Sequence, residues 1–429
     1  MKLLLPVLSL LVVTTRTTAQ NPDKIITRNE VERIEKVLSS DAMEGRRTFT
    51  PGLDRAGDFI AEEFKKAGLQ TAPGLTGYKQ EFSMVQARPV SISVTLDKQP
   101  LEAKNIVVSS ALPELTITPA SGFEKVFIKA GANLTSEMGK INRTGKNALV
   151  LIDTSFAASF ARMAGRGGNR YSFKTNNSTV YVLSAADPSD YQISIKQEVK
   201  ETKIANIVGV LPGKSKKDEY VIFSGHYDHL GIGRAVDGDS IYNGANDDAA
   251  GSTAVIMLAN YFKALRNNER TLVFATFCGE EVGGYGAQFF SRQYDPEKVK
   301  AMFNIEMIGT GSKWGMNSAY ITGYEKTDMG KILEKNLQGT SFMFYPDPYT
   351  EQNLFYRSDN ATLARLGVPA HTISTSKMDS EKFYHTVNDE IETLDMDNMA
   401  AIIRAIALSS QSIISGKDTP SRVDTQQLR

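Results

Sequence analysis

YVIFSGHYDHLG, from Tyr220 to Gly231, decides the fold. Tyr220–Ser224 is a short apolar run rich in β-formers, the pattern of a buried strand. Gly225 ends it, and His226 and Asp228 follow where strand gives way to turn. Open α/β sheets present ligands in this way, beyond the carboxyl ends of their strands. Working outward, Thr271–Cys278 is a second such run and leads into Gly279-Glu280-Glu281, while Ala301–Ile308 carries Glu306. The turn Asn243–Gly251 holds Asp247-Asp248, and Tyr384-His385 completes a dispersed acid and imidazole series in a chain with four histidines.

Around this series apolar strands alternate with helices, which argues α/β with a central sheet. Further strands are expected at Ile204–Leu211, Ala319–Thr322 and Ala370–Ser374, and helices at Ala250–Leu265, Gly284–Arg292, Asp328–Leu337, Asn360–Leu366 and Met396–Ser415. Toward the N-terminus, Thr27 and Glu30 form a capping box before Val31, Ile34, Val37 and Leu38, one face of a helix. A second helix carries Ala56, Phe59, Ile60 and Phe64 and stops at Gly68. The Glu44-Gly45-Arg46-Arg47 segment between them reads as a polar loop.

From 82 to 200 the texture changes to short β-rich runs, including Val90–Leu96, Lys125–Ala130, Ala148–Asp153 and Thr179–Ser184. This reads as a smaller inserted β-rich domain, with Gly165–Asn169 as a flexible tip. The expected organisation is therefore 27–81 as the N-terminal helical part, 82–200 as the insert, 203–415 as the main domain and 416–429 as a loose tail.

Residues 1–19, with Lys2 before the apolar run Leu3–Val13 and small residues at Thr17 and Ala19, read as a secretory signal peptide. The run is shorter than the roughly 20 residues a membrane span needs, so no stable membrane insertion is expected after cleavage. A secreted or periplasmic location follows. Cys278 is the single cysteine, which excludes an intrachain disulfide, and its apolar run makes it a buried strand thiol. With 49 basic and 49 acidic residues no global field draws nucleic acid.

A pair of co-catalytic zinc ions needs imidazoles, carboxylates and one bridging carboxylate. The first carboxylate of Asp247-Asp248 is placed to bridge, and the small residues after it let the following helix pack tightly beneath. Adjacent residues at a strand end point in different directions, so one of Glu280 and Glu281 can bind metal while the other faces a water whose pKa the metal lowers to about 7.

The segments GHYDHLG, YNGANDDAAG, FCGEEVGGYGAQFF, FNIEMIG, RSDNATLARLGVPA and FYHTVNDE resemble, in order, the M28 family of zinc metallopeptidases. The entry segment LSSDAMEGRRTFTPGLDRAGDFIAEEFKKAGL resembles that of bacterial secreted members. The resemblance implies a phosphorylase/hydrolase-like α/β core, a mostly parallel mixed sheet between helices. It implies two Zn2+ ions, one held by His226, Asp247 and Glu306 and the other by Asp247, Glu281 and His385. It makes Glu280 the general base and places the Tyr384 hydroxyl on the oxyanion. The implied reaction is removal of N-terminal residues from a peptide substrate. Glu306 departs from the pattern, which usually has Asp there. The segment Gly145–Asp153 is loosely similar to protease-associated domains.

Asp228 and Asp248 are read as supports that orient the ligands, with helix capping an alternative for Asp248. His229 is assigned a supporting or surface role, and His371 a core or pocket-wall place. Tyr349, Tyr356, Arg357, Ser358 and Asp359 are pocket candidates, and Ser358-Asp359 also reads as a helix cap. Gly209–Ser215 lacks the spacing of a phosphate-binding loop. No G-x-S-x-G elbow or H-E-x-x-H helix occurs. Carboxypeptidase, dipeptidase and glutaminyl cyclase activities on the same core, and a catalytically dead peptidase-like binding module, are the alternatives.

Overall fold

The computed structural model describes residues 21–165 and 171–428; the leader reading and most of the Gly165–Asn169 tip lie outside them. The chain divides into two compact units, one formed by residues up to Gln80 together with those from Ala205 onward, the other by Glu81–Ile204.

The sheet of the first unit runs Met343–Pro346, Ser318–Ile321, Ala370–Ser374, Val299–Ile305, Lys216–His226, Arg270–Phe277 and the last residues of Tyr191–Leu211. Ala370–Ser374, Val299–Ile305, Lys216–His226 and Arg270–Phe277 are mutually parallel. Ser318–Ile321 and Tyr191–Leu211 pair antiparallel at either side, so the sheet is mixed. Helices cover both faces, which is why the central strands are apolar throughout rather than alternating. Ile222 joins a cluster with Val208, Val273, Phe277, Phe290 and Val368 on one face. On the other, Phe223 stacks on Phe262, Phe274 and Phe303 with centroids 5.0–5.7 Å apart. Truncating so buried a ring costs about 3–5 kcal/mol.

The helix Ala250–Leu265 packs beneath this face, between Arg28–Leu38 and Met396–Ser409. A Cβ at Gly251 would run into the Ile305 carbonyl and the Asp248 carboxylate, so only glycine lets the first turn approach. The cap at Thr27 forms as expected, its hydroxyl accepting from the Glu30 N–H at 3.2 Å. Gly68 stops the second helix in the left-handed region at φ 73°.

Two expectations need correction. The tail is not loose: Arg270 donates to the Asp418 carbonyl at 2.9 Å, the Val423 N–H bonds Gly367, and Val423 is buried. Its polar composition hides one apolar anchor and several main-chain contacts. The Glu44–Arg47 loop is not solvated throughout, because Arg46 is wholly buried.

In the second unit, strands Ile106–Ser109, Thr179–Leu183, Ala148–Ile152 and Glu124–Ile128 form a sheet in that order. Two helices, Leu134–Arg143 and Ala157–Gly165, lie in a stretch read as β-rich. They are short, and Leu134, Met138, Ile141 and Met163 are only partly buried while Phe160 is buried in the cluster they flank.

Candidate metal centre

Three parallel strands end at the site. His226 closes Lys216–His226, Glu280 and Glu281 lie just past Arg270–Phe277, and Glu306 follows Val299–Ile305 directly. Parallel register brings these ends together although they are far apart in sequence. The turn Ala245–Ala249 supplies Asp247, and the segment before Asp389 supplies His385, whose φ of 58° places a non-glycine residue in the left-handed region.

The donor atoms fall into two groups that share Asp247: His226, Asp247 and Glu306, and His229, Asp247, Glu281 and His385. His226 Nε2 lies 3.3 Å from Asp247 Oδ1. His385 Nε2 lies 3.2 Å from both Asp247 Oδ2 and Glu281 Oε1. The tautomer of His226 follows from its other nitrogen, since Nδ1 faces the main-chain carbonyl of Asp228 at 3.1 Å. A carbonyl only accepts, so Nδ1 carries a hydrogen, and in the neutral ring Nε2 is left with a lone pair aimed at a carboxylate. That nitrogen finds no hydrogen-bond partner among the described residues, and neither does His385 Nε2. A lone pair opposite a carboxylate is repulsive unless a proton or cation sits between them.

The electrostatics express the same demand. Burial opposes charge on His226, yet its contact with Asp247 and the nearby Asp248 and Glu280 hold it well above the usual imidazole range. Burial would raise Asp247, but the His226 and His385 rings pull it below the ordinary carboxylate value. Burial, opposed by His226 and reinforced by Glu306, pushes Glu280 well up. Nitrogen and oxygen donors in a buried, acid-rich cluster suit divalent zinc.

Asp248 and Asp228 bind main chain. Asp248 accepts from the N–H groups of His226 (3.1 Å), Gly251 (3.0 Å) and Met307 (3.1 Å), joining two strand ends to one helix start. Asp228 accepts from the Glu280 N–H at 3.1 Å and the Thr48 hydroxyl at 2.7 Å. Two further supports were not foreseen. Asp389 accepts from the Asn246 and Asp247 N–H groups at 2.8 and 3.1 Å, tying the His385 segment to the bridging turn. Arg46 donates to the carbonyls of Leu38, Tyr227, Asn243 and Gly244 at 2.5–2.9 Å, bracing the turns that carry His226 and Asp247. His229 is likewise not on the surface: it is 1% exposed, with Nδ1 2.9 Å from Glu281 Oε1.

An open cavity adjoins the cluster. Glu280, Glu306, Arg357, Ser358 and Tyr384 line it, together with Tyr320, Thr372, Ser374 and Met378, which the sequence did not single out. The Tyr384 ring stacks on His385 at 3.8 Å, and burial beside Asp247, Glu281 and Glu306 raises its hydroxyl, which therefore stays protonated and able to donate. Tyr349, Tyr356 and Asp359 do not line the cavity. Tyr349 is buried edge-on against Tyr320, and the partly buried Tyr356 packs edge-on against Phe355 at the margin of the core. Asp359 is buried beneath, its carboxyl pushed up to about 8 by burial, and its side chain does not cap the helix Asn360–Ala364. His371 is a core residue between Thr327 and the Thr322 carbonyl, held down to about 4 by burial. Cys278 is buried, which pushes its thiol up and leaves it inert.

A mixed α/β sheet with an acid and imidazole cluster at its parallel strand ends defines the class as an α/β metal-site protein. Residues 206–409 match the model of peptidase family M28. A probable leucine aminopeptidase of Trichophyton verrucosum is 28% identical over 204 residues, 45% of this chain and 53% of that protein. A probable zinc metalloprotease of Pyricularia oryzae is 36% identical over 115 residues, 26% of this chain and 22% of that protein. The chain thus spans about half or less of the length of these relatives. The fold is that of a zinc aminopeptidase from Bacillus subtilis, with TM-score 0.55, 15% identity, and 94% of this chain and 97% of that chain covered. An aminopeptidase from an Aneurinibacillus species gives TM-score 0.53 at 18% identity over 91% of this chain and 95% of the other.

Proposed function

We propose that this chain is an exported zinc aminopeptidase, with two ions held by His226, Asp247 and Glu306 on one side and by Asp247, Glu281 and His385 on the other. The observation that carries this reading is the pair of buried Nε2 atoms, on His226 and His385, facing the two oxygens of one carboxylate. The names of the relatives and the leader-like start of the sequence support the aminopeptidase and export parts.

Zinc so bound supplies a Lewis acid for the scissile carbonyl and lowers the pKa of the attacking water. Glu280 lines the cavity without ligating, and its raised proton affinity suits it to take a proton from that water and pass it to the leaving amine. Tyr384 donates its hydroxyl hydrogen toward the oxygen on which negative charge develops. The carboxylates of Glu280 and Glu306 face the same cavity and can pair with a free α-ammonium group.

Replacing Glu280 with Gln keeps the shape and removes the base. The expected result is a loss of about 10²–10⁴ in kcat on peptides with a free N-terminus, with metal content unchanged. Equal hydrolysis of N-acetylated peptides would sink the aminopeptidase reading and leave the metallopeptidase one. Arg357, which lines the cavity, favours a carboxypeptidase or dipeptidase as the second reading. Loss of activity on amidation of the substrate C-terminus would select it.

A further inference from the structure

We propose that His229 is a fourth protein ligand on the His385 side, binding through Nδ1 and making the two metal positions unequal. The inference rests on the two-metal reading above and goes beyond the ligand set that reading uses.

Four donor atoms converge there. His229 Nδ1 lies 2.9 Å from Glu281 Oε1 and 3.8 Å from Asp247 Oδ2. His385 Nε2 lies 3.2 Å from each of the same two oxygens. Zinc bonds of about 2.0–2.2 Å in a tetrahedron put neighbouring donors roughly 3.3–3.6 Å apart. The observed separations bracket that range. The two rings meet edge to face, 5.6 Å between centroids at 70°, so each aims one nitrogen inward without crowding the other.

The ring is also seated. Gly244, at φ 57°, lies where a Cβ would collide with the His229 ring, so the chain keeps a cradle open for it. The His229 N–H donates to the Arg46 carbonyl at 3.2 Å, pinning the backbone. A hydrogen bond from His229 to Glu281 alone would need neither the approach to Asp247 nor the facing His385 ring.

The consequence is an asymmetry. The His226 side has one imidazole and two carboxylates, leaving a position open, whereas the His385 side has two imidazoles and two carboxylates. Four protein donors are the mark of a closed, retentive zinc site, three of one that keeps a place for water or substrate. The His385 side should hold its ion through conditions that strip the other.

The test combines graded dialysis against dipicolinate, zinc counting by mass spectrometry and zinc K-edge X-ray absorption, on wild type and His229→Asn. Asn places an amide nitrogen close to where Nδ1 lies, so it keeps a hydrogen bond to Glu281 while removing the imidazole donor. In the wild type, one ion should persist after the other is gone, with two imidazoles in its coordination shell. In His229→Asn the persistent ion should be lost at chelator concentrations at least tenfold lower, and the count should fall to one. A single imidazole on the retained wild-type ion would overturn the proposal without any variant. So would a folded His229→Asn protein that retains its ion like the wild type. Wild-type protein that takes up no zinc would overturn the two-metal reading and this proposal together, an outcome distinct from two zinc ions with an indifferent His229.

Discussion

On the His226 side of Asp247 the other donors sit on or directly after strand ends, whereas on the His385 side the farthest donor stands on a segment with no strand of its own. His226 is 1% exposed, and its backbone is held by Asp248, which also holds Met307 beside Glu306. The His385 side chain is 34% exposed and reaches the cluster from a segment tied back through Asp389. Hydrogen-bonded sheet supplies a frame that admits little adjustment. A tethered segment holds its ligand only as firmly as its tether. The site therefore combines a fixed wall with a tethered one.

The severest way to break this contrast is to remove what the sides share. Asp247→Asn should abolish zinc retention on both and lower kcat/KM by about 10³-fold or more, a loss of some 4 kcal/mol of transition-state stabilisation. Zinc counting and peptide assays check it. An Asn variant that still held two ions would mean the sides are independent.

Next is Arg46→Met, which leaves four buried carbonyls without their common donor. Stripping one partner from a buried charged network costs about 3–5 kcal/mol, visible as a lower urea midpoint. Both metal positions should weaken together, because Arg46 braces the turns of His226 and of Asp247 alike.

Asp389→Asn sharpens the comparison by touching one wall. It keeps the shape but weakens the two N–H bonds that tie the His385 segment to the bridging turn. Removing such an outer partner typically costs 10–100-fold in metal affinity. Chelator titration should show that loss in the ion held by His385 and little change in the other.

The smallest effect concerns Glu35, buried against the helix Ala250–Leu265, where it accepts from the Thr253 hydroxyl at 2.7 Å. Burial pushes its carboxyl up from 4.5 to about 8. The folded chain therefore keeps a proton that the unfolded chain has lost above its own pKa, and stability falls as pH rises from about 4.5 toward 8. Glu35→Gln should match wild type near pH 4 and gain on the order of 1–3 kcal/mol near pH 8. Thermal melts across that range test it; parallel curves would show that Glu35 does not titrate there.

Much of the fixed wall was legible in the sequence, because strand periodicity and the residues just past each strand are local signals. Tyr220–His226, Thr271–Glu281 and Ala301–Glu306 announce themselves within a dozen residues each. The supports that reach the site from distant segments were not. Asp389 reads as one more acid in a polar stretch, and its role exists only once the chain has returned to Asn246. Arg46 sits in a segment as charged as any solvated loop, and no local pattern says that one of its two arginines turns inward. His229 reads as a supporting or surface residue because the family resemblance needs no further ligand, and of these two burial leaves the place against Glu281. Tyr349 and Tyr356 failed as pocket residues for the opposite reason: aromatic side chains are common in cores, and nothing local separates wall from interior.

The Arg46 brace also sets a schedule. Its partners at Tyr227 and Gly244 lie 181 and 198 residues further along the chain. During synthesis the entry helices would emerge long before the turns they hold, and all of Glu81–Ile204, a compact unit by contact, is made in the interval. Closing so long a loop adds only logarithmically to the entropic cost but raises the contact order, which slows folding. A ribosome-bound chain ending before Tyr227 would thus carry a buried-type arginine with only the Leu38 carbonyl of its four acceptors to receive it, and the N-terminal helices should stay sensitive to protease until that point is passed.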